Sequence, residues 1–582
     1  MRKIFYQPFF KHALFLICLV SSVVQVRSQQ SSRIASAYDY PIQKKSIGAK
    51  GAVVSAHPLA SKVGLDVLRK GGNAMDAAIA TQLALAVVYP GAGNIGGGGF
   101  LVASLTDGKM LAIDYREKAP AAAHRDMYLD SAGNAMPHLS QSGHLASGVP
   151  GTIAGLFASH KYAKLPFIEL IQPAIELAEK GFSITANEAS SLNSTTTAFQ
   201  QNNTKPNAFI RNRPWKEGDT LIQTDLANTL KRVRDLGMKG FYEGETARLI
   251  VEEMKRGKGL ITYEDLKNFT AKEREAISFT YKDYSIITMP LPSSGGIIIQ
   301  QALKILEKRD IEKMGFQSAR AVQLVAEVER RAYADRAKFM GDADFVKVPV
   351  KTLVSDAYLN ERMQSFIAGK AGKSSVILAG DIPVESEETT HLSIADQWGN
   401  AVSVTTTLNG GYGSRTVVGG AGFLLNNEMD DFSIKPGVPN MYGAVGAEAN
   451  AIAPGKRMLS SMTPTIVLRN NKPYLVLGTP GGTTIPTSVL QTIINILDFN
   501  LSVDDAVNKP KFHHQWLPDI LMVENGFPQP VIDSLKTMGY EVNKRGQIGR
   551  TEVIKITRTG KKKRLQFEAV GDGRGDDDAE TY

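Results

Sequence analysis

Residues 385–396 read ESEETTHLSIAD. Charge and serine, Glu385 to Glu388, run without Gly or Pro into Thr389-Thr390-His391-Leu392, whose residue types predict a strand. A threonine hydroxyl is a poor nucleophile unless a base takes its proton. One solution is the threonine's own α-amino group, which exists only if the chain is cut just before it. Such an amine has a pKa of about 8, so part of it is free near neutrality to act as a base. A charged segment ending at Glu388 suits a cut, and the strand would hold the new terminus rigidly in a cleft. Taken alone, the stretch reads more readily as a structural border than as a catalytic site, because Thr-Thr at a strand start is common.

The surrounding sequence predicts layers. HLSIADQWGNAVSVTTTLN (391–409) alternates around a Trp398-Gly399-Asn400 turn, and TPTIVLRNNKPYLVLGTPGG (463–482) repeats the scheme around Asn470-Asn471. FLVASLTDGKMLAIDYRE (100–117) reads as a third hairpin with Asp107-Gly108 at its turn. Upstream, the segment as far as Lys50 reads as a polar surface lead-in, and AVVSA (52–56) as a strand. HPLASKVGLDVLRKGG has helical spacing and stops on Gly71-Gly72. NAMDAAIATQLALAVVYP starts at Asn73, a fitting N-cap, and ends at Pro90; its apolar residues surround the helix, which predicts burial. Residues 150–280 read as largely helical, with SLNSTTTAFQQNNTKPN (191–207) as a loop. A long helix starts at Ser318. Hairpins and helical pairs together predict a layered α/β architecture.

Composition narrows the classes. The 582 residues are 43% hydrophobic and 21% charged, ordinary for a globular chain. Arg2, Lys3 and Lys11 precede the apolar run ALFLICLVSSVV (13–24), and QVRSQQSS follows. This is the pattern of an export signal, placed at residues 1–28; the run is short for a membrane span of roughly 20 residues. Its removal leaves a periplasmic or secreted protein with no stable membrane span. Cys18, the single cysteine, lies inside it, so the exported chain would have no disulfide, thiol chemistry or thiolate metal site. The net charge of +9 loses Arg2, Lys3, Lys11 and Arg27 with the signal, leaving +5. The remaining basic residues are interleaved with acids, and KKKR (561–564) reads as a solvated edge or loop; nucleic-acid binding is not supported.

GAGNIG (91–96) formally fits a dinucleotide fingerprint, but a helix precedes it and a strand follows, the reverse of what that motif requires. Its glycines read as permitting close backbone packing. No Walker A, H-E-x-x-H or G-x-S-x-G sequence is present. His513 and His514 are adjacent and would point to opposite faces of a strand.

The motifs after Thr389-Thr390-His391 change the weight of the opening stretch. GNAVSVTTTLN, LLNNEMDDFS, PGVPNMYGAVGAEAN, KRMLSSMTPTIV and GTPGGTTIP follow in order, and HPLAS, GGNAMDAAIA, GNIGGGGF, YREKAP, SGVPG and PSSGG precede it. In order and spacing the chain resembles the γ-glutamyltransferases (glutathione hydrolases), members of the N-terminal nucleophile hydrolases. The resemblance covers nearly everything after residue 45.

It implies a four-layer α-β-β-α sandwich and a precursor that cuts itself between Glu388 and Thr389. Residues 29–388 would become a large subunit and 389–582 a small catalytic one, associated as a heterodimer. Thr389 would be the nucleophile, supported by Thr407, with the backbone of Gly481 and Gly482 as oxyanion donors. Arg116, Ser460 and Ser461 would receive the α-carboxylate of a γ-glutamyl group. Asp431, Asn409 and Glu428 would receive its α-ammonium, and Tyr442 would cover the pocket from a lid loop. The implied substrates are glutathione and related γ-glutamyl compounds, with water or an amino acid or peptide as acceptor, and no metal or organic cofactor is implied. The ending DGRGDDDAETY departs from the family's usual one, which leaves acceptor preference open. Two alternatives stay open. One is another self-cleaving amidase, such as a β-lactam side-chain acylase or a poly-γ-glutamate processor, against which Arg116 with Asp431 argues. The other is a non-catalytic relative, which Thr389 and Gly481-Gly482 argue against.

Overall fold

Every residue of the strands Thr390–Asp396 and Ala401–Thr407, which pair as an antiparallel hairpin, is buried. A hairpin buried on both faces needs a layer on each side. Side chains alternate along a strand, so the two faces can be told apart. Leu392, Ile394, Val402 and Val404 pack with the helices Pro58–Arg69 and Ala74–Val88. The odd-numbered residues face a second sheet: Ser393 Oγ donates to Glu552 O at 3.1 Å and Ser403 Oγ to Leu477 O at 3.0 Å.

The computed structural model describes residues 40–378, 389–441, 443–561 and 564–582. The expected export signal, Glu388 and Tyr442 lie outside the described residues. Two antiparallel seven-stranded sheets form the centre. The first runs, in spatial order, Asp578–Thr581, Gly51–Ser55, Thr390–Asp396, Ala401–Thr407, Gly98–Ser104, Met110–Asp114 and Lys272–Arg274. The second runs Lys45–Gly48, Arg564–Val570, Glu552–Thr559, Lys472–Gly478, Thr465–Arg469, Tyr284–Thr288 and Ile277–Tyr281. Helices Gly295–Glu307 and Thr484–Leu497 cover its far face. The expected four-layer α-β-β-α sandwich is the architecture found.

Local chemistry explains most element boundaries. Asn73 caps the helix Ala74–Val88 in a reciprocal box with Asp76, and all fifteen helical residues are buried. The predicted hairpin turns at Asp107-Gly108 and Asn470-Asn471 form; the asparagines take φ of 52° and 58°, which a two-residue turn favours. The segment before Lys50 is more than a lead-in, since Lys45–Gly48 is an edge strand of the second sheet.

One expectation is corrected. Residues 191–202 of SLNSTTTAFQQNNTKPN are not a loop; they continue the helix Ala186–Asn202. Thr185 and Glu188 form its capping box. The hydroxyls that weaken helices in isolation here bond back along their own helix. Thr195 Oγ1 donates to Ser191 O and Thr196 Oγ1 to Leu192 O, each at 3.0 Å. Leu192 and Phe199 supply the buried face.

Candidate active site

The sheet register dictates the central pair. Thr390 lies opposite Thr406 and His391 opposite Thr405, so one residue beyond, Thr389 comes opposite Thr407. Both are odd-numbered and point into the gap between the sheets, where their Oγ1 atoms stand 3.4 Å apart. Thr389 is 5% exposed. Thr407 Oγ1 already accepts from Asn409 N at 2.7 Å, which leaves its proton to be donated toward Thr389. The glycine motif GNIGGGGF fixes this end of the strand. Asn94 Nδ2 donates to Thr407 O at 2.8 Å, and a Cβ on Gly97 would sit 2.1 Å from the same oxygen. The glycines allow close packing, as the sequence predicts.

The other predicted residues arrive at the same end of the two sheets. Arg116 follows the strand Met110–Asp114, and Ser460 and Ser461 precede Thr465–Arg469. Gly481 and Gly482 follow Lys472–Gly478 and stand just before the helix Thr484–Leu497. Their φ of 133° and 50° is backbone that side chains resist, which accounts for both glycines. Glu428 and Asp431 lie on the 3₁₀ turn Glu428–Asp431. Thr389, Thr407, Asn409, Arg116, Glu428, Asp431, Ser460, Ser461 and Gly482 line one pocket, and Gly481 lines a second cavity on the other side of Thr389. PSSGG buttresses the serines: Ser294 N and Oγ both donate to Ser460 O at 2.8 Å.

The pocket is strongly charged, and most of its lining is buried. The Arg116 guanidinium ion-pairs with Glu428 and Asp431, and Glu117 stands 3.6 Å away. Burial pushes the carboxyls of Glu117, Glu428 and Asp431 above their ordinary range, while Arg116 pulls each of them down. Three carboxyls around one guanidinium cannot all be ionised cheaply. The arrangement favours a proton shared within this carboxyl cluster, and Asp431 also accepts from Asn440 Nδ2 at 2.9 Å.

Asn440 and Arg336 also line this pocket and are not singled out by the sequence reading. Asn440 belongs to the recognised loop PGVPNMYG, and its spacing to Asp431 is visible only in three dimensions. Arg336 lies near the end of the helix Ala319–Phe339, 6% exposed. It donates from Nη2 to Ser461 Oγ at 3.3 Å and from Nε to Ser294 Oγ at 3.1 Å. Among the described residues no carboxylate forms an ion pair with it. Charges on a long helix ordinarily read as a solvated face, so ERRAYADRAKF gave no signal of a pocket arginine.

A buried threonine hydroxyl at the end of a central strand, sharing its pockets with a glycine turn and a cluster of charges, within four α-β-β-α layers, defines the fold class of the N-terminal nucleophile hydrolases. The crystal structure of a cephalosporin acylase from Bacillus halodurans superposes with a TM-score of 0.80 and 25% identity, over 94% of this chain and 98% of that one. The family described as gamma-glutamyltranspeptidase matches residues 60–582. A glutathione hydrolase proenzyme of Escherichia coli (strain K12) is 47% identical over 521 residues, 89% of each chain. The crystal structure of the Helicobacter pylori gamma-glutamyltranspeptidase is 44% identical with a TM-score of 0.56, over 58% of this chain and 97% of that one. The chain belongs to the gamma-glutamyltranspeptidase family.

Proposed function

We propose that this protein is an exported, self-processing γ-glutamyl acyl-transfer enzyme whose substrates are glutathione and related γ-glutamyl compounds. The observation that carries the reading is the Thr389–Thr407 hydroxyl pair at the mouth of a buried pocket holding both signs of charge. In the precursor, Thr389 Oγ attacks the Glu388 carbonyl carbon, the peptide C–N bond breaks, and the resulting ester is hydrolysed by water. This frees the Thr389 α-amino group and leaves subunits 29–388 and 389–582 associated. Residues 1–28 act as the export signal; among the described residues, no helix is long and apolar enough to cross a membrane.

In the processed enzyme the α-amino group takes the Thr389 hydroxyl proton, and Thr407 stabilises the developing alkoxide by donating to it. Oγ attacks the γ-carbonyl carbon, and the N–H groups of Gly481 and Gly482 receive the oxyanion. The amide C–N bond then breaks, the leaving amine takes the proton held by the α-ammonium, and an ester remains on Thr389. Water or an acceptor amine attacks that ester, its C–O bond breaks, and the hydroxyl is restored. The zwitterionic end of the substrate exchanges partners inside the pocket. Its α-carboxylate goes to Arg116, Ser460 and Ser461, and its α-ammonium to Asp431 with Asn409 and Glu428. Asp431 leaves one ion pair for another, so little desolvation remains to be overcome.

The likeness to a cephalosporin acylase favours a second reading, a self-cleaving amidase for acyl groups without a free amino-acid end. The Arg116–Asp431 pair speaks for the first. Intact mass and a denaturing gel should give two fragments, one starting at Thr389. Thr389→Ala should stay a single chain and lose turnover of γ-glutamyl-p-nitroanilide by at least about a thousandfold. An uncut wild-type chain, or turnover by the Ala variant, overturns the mechanism.

A further inference from the structure

The adjacent histidines His513 and His514 are both buried, and their partners differ. His514 Nε2 stands 3.4 Å from Asp519 Oδ1, whereas the His513 ring bonds to Thr487 and Gln515. Gln515 Oε1 in turn accepts from Thr483 Oγ1 at 2.6 Å. Thr483 directly follows Gly481-Gly482. A threonine at a helix N-cap ordinarily turns its hydroxyl onto the helix's own N–H groups. Thr483 is the N-cap of Thr484–Leu497 and makes no such bond; its proton goes to Gln515 instead. We propose that Gln515, oriented by His513, is a positioning residue that holds the Gly481-Gly482 turn where its N–H groups receive the oxyanion. The proposal rests on the acyl-transfer reading above.

The hydrogen bonds fix one arrangement. An amide oxygen only accepts, so His513 Nε2, 2.9 Å from Gln515 Oε1, carries the ring proton. Nδ1 then accepts from Thr487 Oγ1 at 2.9 Å. Burial keeps the ring neutral, with a pKa lowered to about 3, so no titration near neutrality disturbs the pattern. Gln515 Nε2 donates to Leu517 O at 3.2 Å, which sets the way the amide faces. The backbone of Thr483 is held as well. The Tyr333 hydroxyl donates to Thr483 O, and the Tyr333 ring meets the His513 ring edge-on at 5.7 Å. On the other flank of the turn, Thr484 N and Oγ1 donate to Gly481 O at 2.9 and 2.7 Å. Such bracing has a physical reason. Gly481 and Gly482, at φ of 133° and 50°, have no side chains to lock them and the most backbone freedom to lose. Oxyanion donors act by being in place before the reaction starts, so the turn takes its rigidity from neighbouring side chains.

Thr483→Val and Gln515→Met remove the two ends of this bond with little change of shape. Each should lower kcat for γ-glutamyl-p-nitroanilide, per small subunit beginning at Thr389, by about ten- to thirtyfold, with KM within about twofold of wild type. Both break the same bond, so the double variant should lose no more than the worse single one. Thr483→Ser keeps the hydroxyl and should stay within about threefold of wild type. His513→Gln leaves both ends of the bond in place and should cost about three- to tenfold in kcat; it serves where a variant at the bond does not fold. A tetrahedral mimic, the γ-boronic acid analogue of glutamate, should bind Gln515→Met about tenfold more weakly than wild type, while glutamate binds equally to both. Unchanged kcat in the single variants, losses that multiply in the double variant, or equal losses of affinity for the boronic acid and glutamate overturn the proposal. Failure of the acyl-transfer reading looks different: wild type would then not release p-nitroaniline from γ-glutamyl-p-nitroanilide at all.

Discussion

The two cavities that meet at Thr389 differ in charge. The first is lined by Arg116 and Arg336 together with Glu428 and Asp431. The second, among the described residues, carries Arg545 and Arg550 and no acid on its walls. The difference teaches which end of a substrate each can hold. A zwitterionic amino-acid end needs both signs a few ångströms apart, and a remote carboxylate needs one sign only.

Removing the acid from the mixed pocket is the strongest way to break this contrast. Asp431→Asn leaves the substrate α-ammonium unpaired in a buried site and should lower kcat/KM for γ-glutamyl-p-nitroanilide by about a hundred- to a thousandfold. Glutaryl-p-nitroanilide, which lacks the amine, should lose far less, so the variant's preference between the two narrows. Equal losses on both would mean that Asp431 holds the fold and not the ammonium.

Arg336 sharpens the contrast at the next level. If its guanidinium orders the Ser461 hydroxyl and adds charge toward the α-carboxylate, Arg336→Gln should raise KM by about tenfold with a smaller change in kcat. Steady-state kinetics on γ-glutamyl-p-nitroanilide reads this directly. An unchanged KM would leave Arg116 as the sole cation acting on that carboxylate.

The smallest effect concerns an acid beyond the second cavity. Glu188 lines a neighbouring cavity that shares Tyr89 and Arg550 with it. Burial raises its carboxyl to about 8, and beside it His57 is held neutral, with a pKa lowered to about 3 by burial. The unfolded carboxyl titrates near 4.3. The folded state therefore binds the proton more tightly, and this group's contribution to stability declines as pH rises from about 4 to about 8. Glu188→Gln keeps an oxygen to accept from Thr185 N, now at 2.7 Å, and so keeps the capping box. The variant should melt with wild type at pH 4 and roughly 2–5 °C above it at pH 9. Equal melting at both pH values would show that Glu188 ionises freely.

Much of this arrangement is legible in the sequence where short-range rules apply. Asn73, Asp107-Gly108 and Asn470-Asn471 set their own cap and turns, whereas the placing of Thr407 beside Thr389 comes from the hairpin register. Arg116, Asp431 and the serines are legible only through motif order, since Arg116 alone reads as a surface ion-pair residue and Asp431 as part of a solvated loop. The helix over residues 191–202 escaped because its hydroxyls predict competition with the backbone, and the packing of Leu192 and Phe199 overrides that local preference. Arg336 escaped because a charged helix position does not reveal that a neighbouring layer covers it.

By itself, then, the sequence determined the alternating strands, their turns, the threonine at the strand edge and the glycines that only a left-handed backbone requires. These depend on neighbours a few residues apart. The tertiary structure alone decided that Arg336 and Asn440 join the pocket, that Arg116 is shared by Glu428 and Asp431, and that Arg550 borders the far side of Thr389. Those placements depend on burial and on Coulomb interactions between residues far apart in the chain. Neither exists until the two sheets close face to face and exclude water from the gap between them.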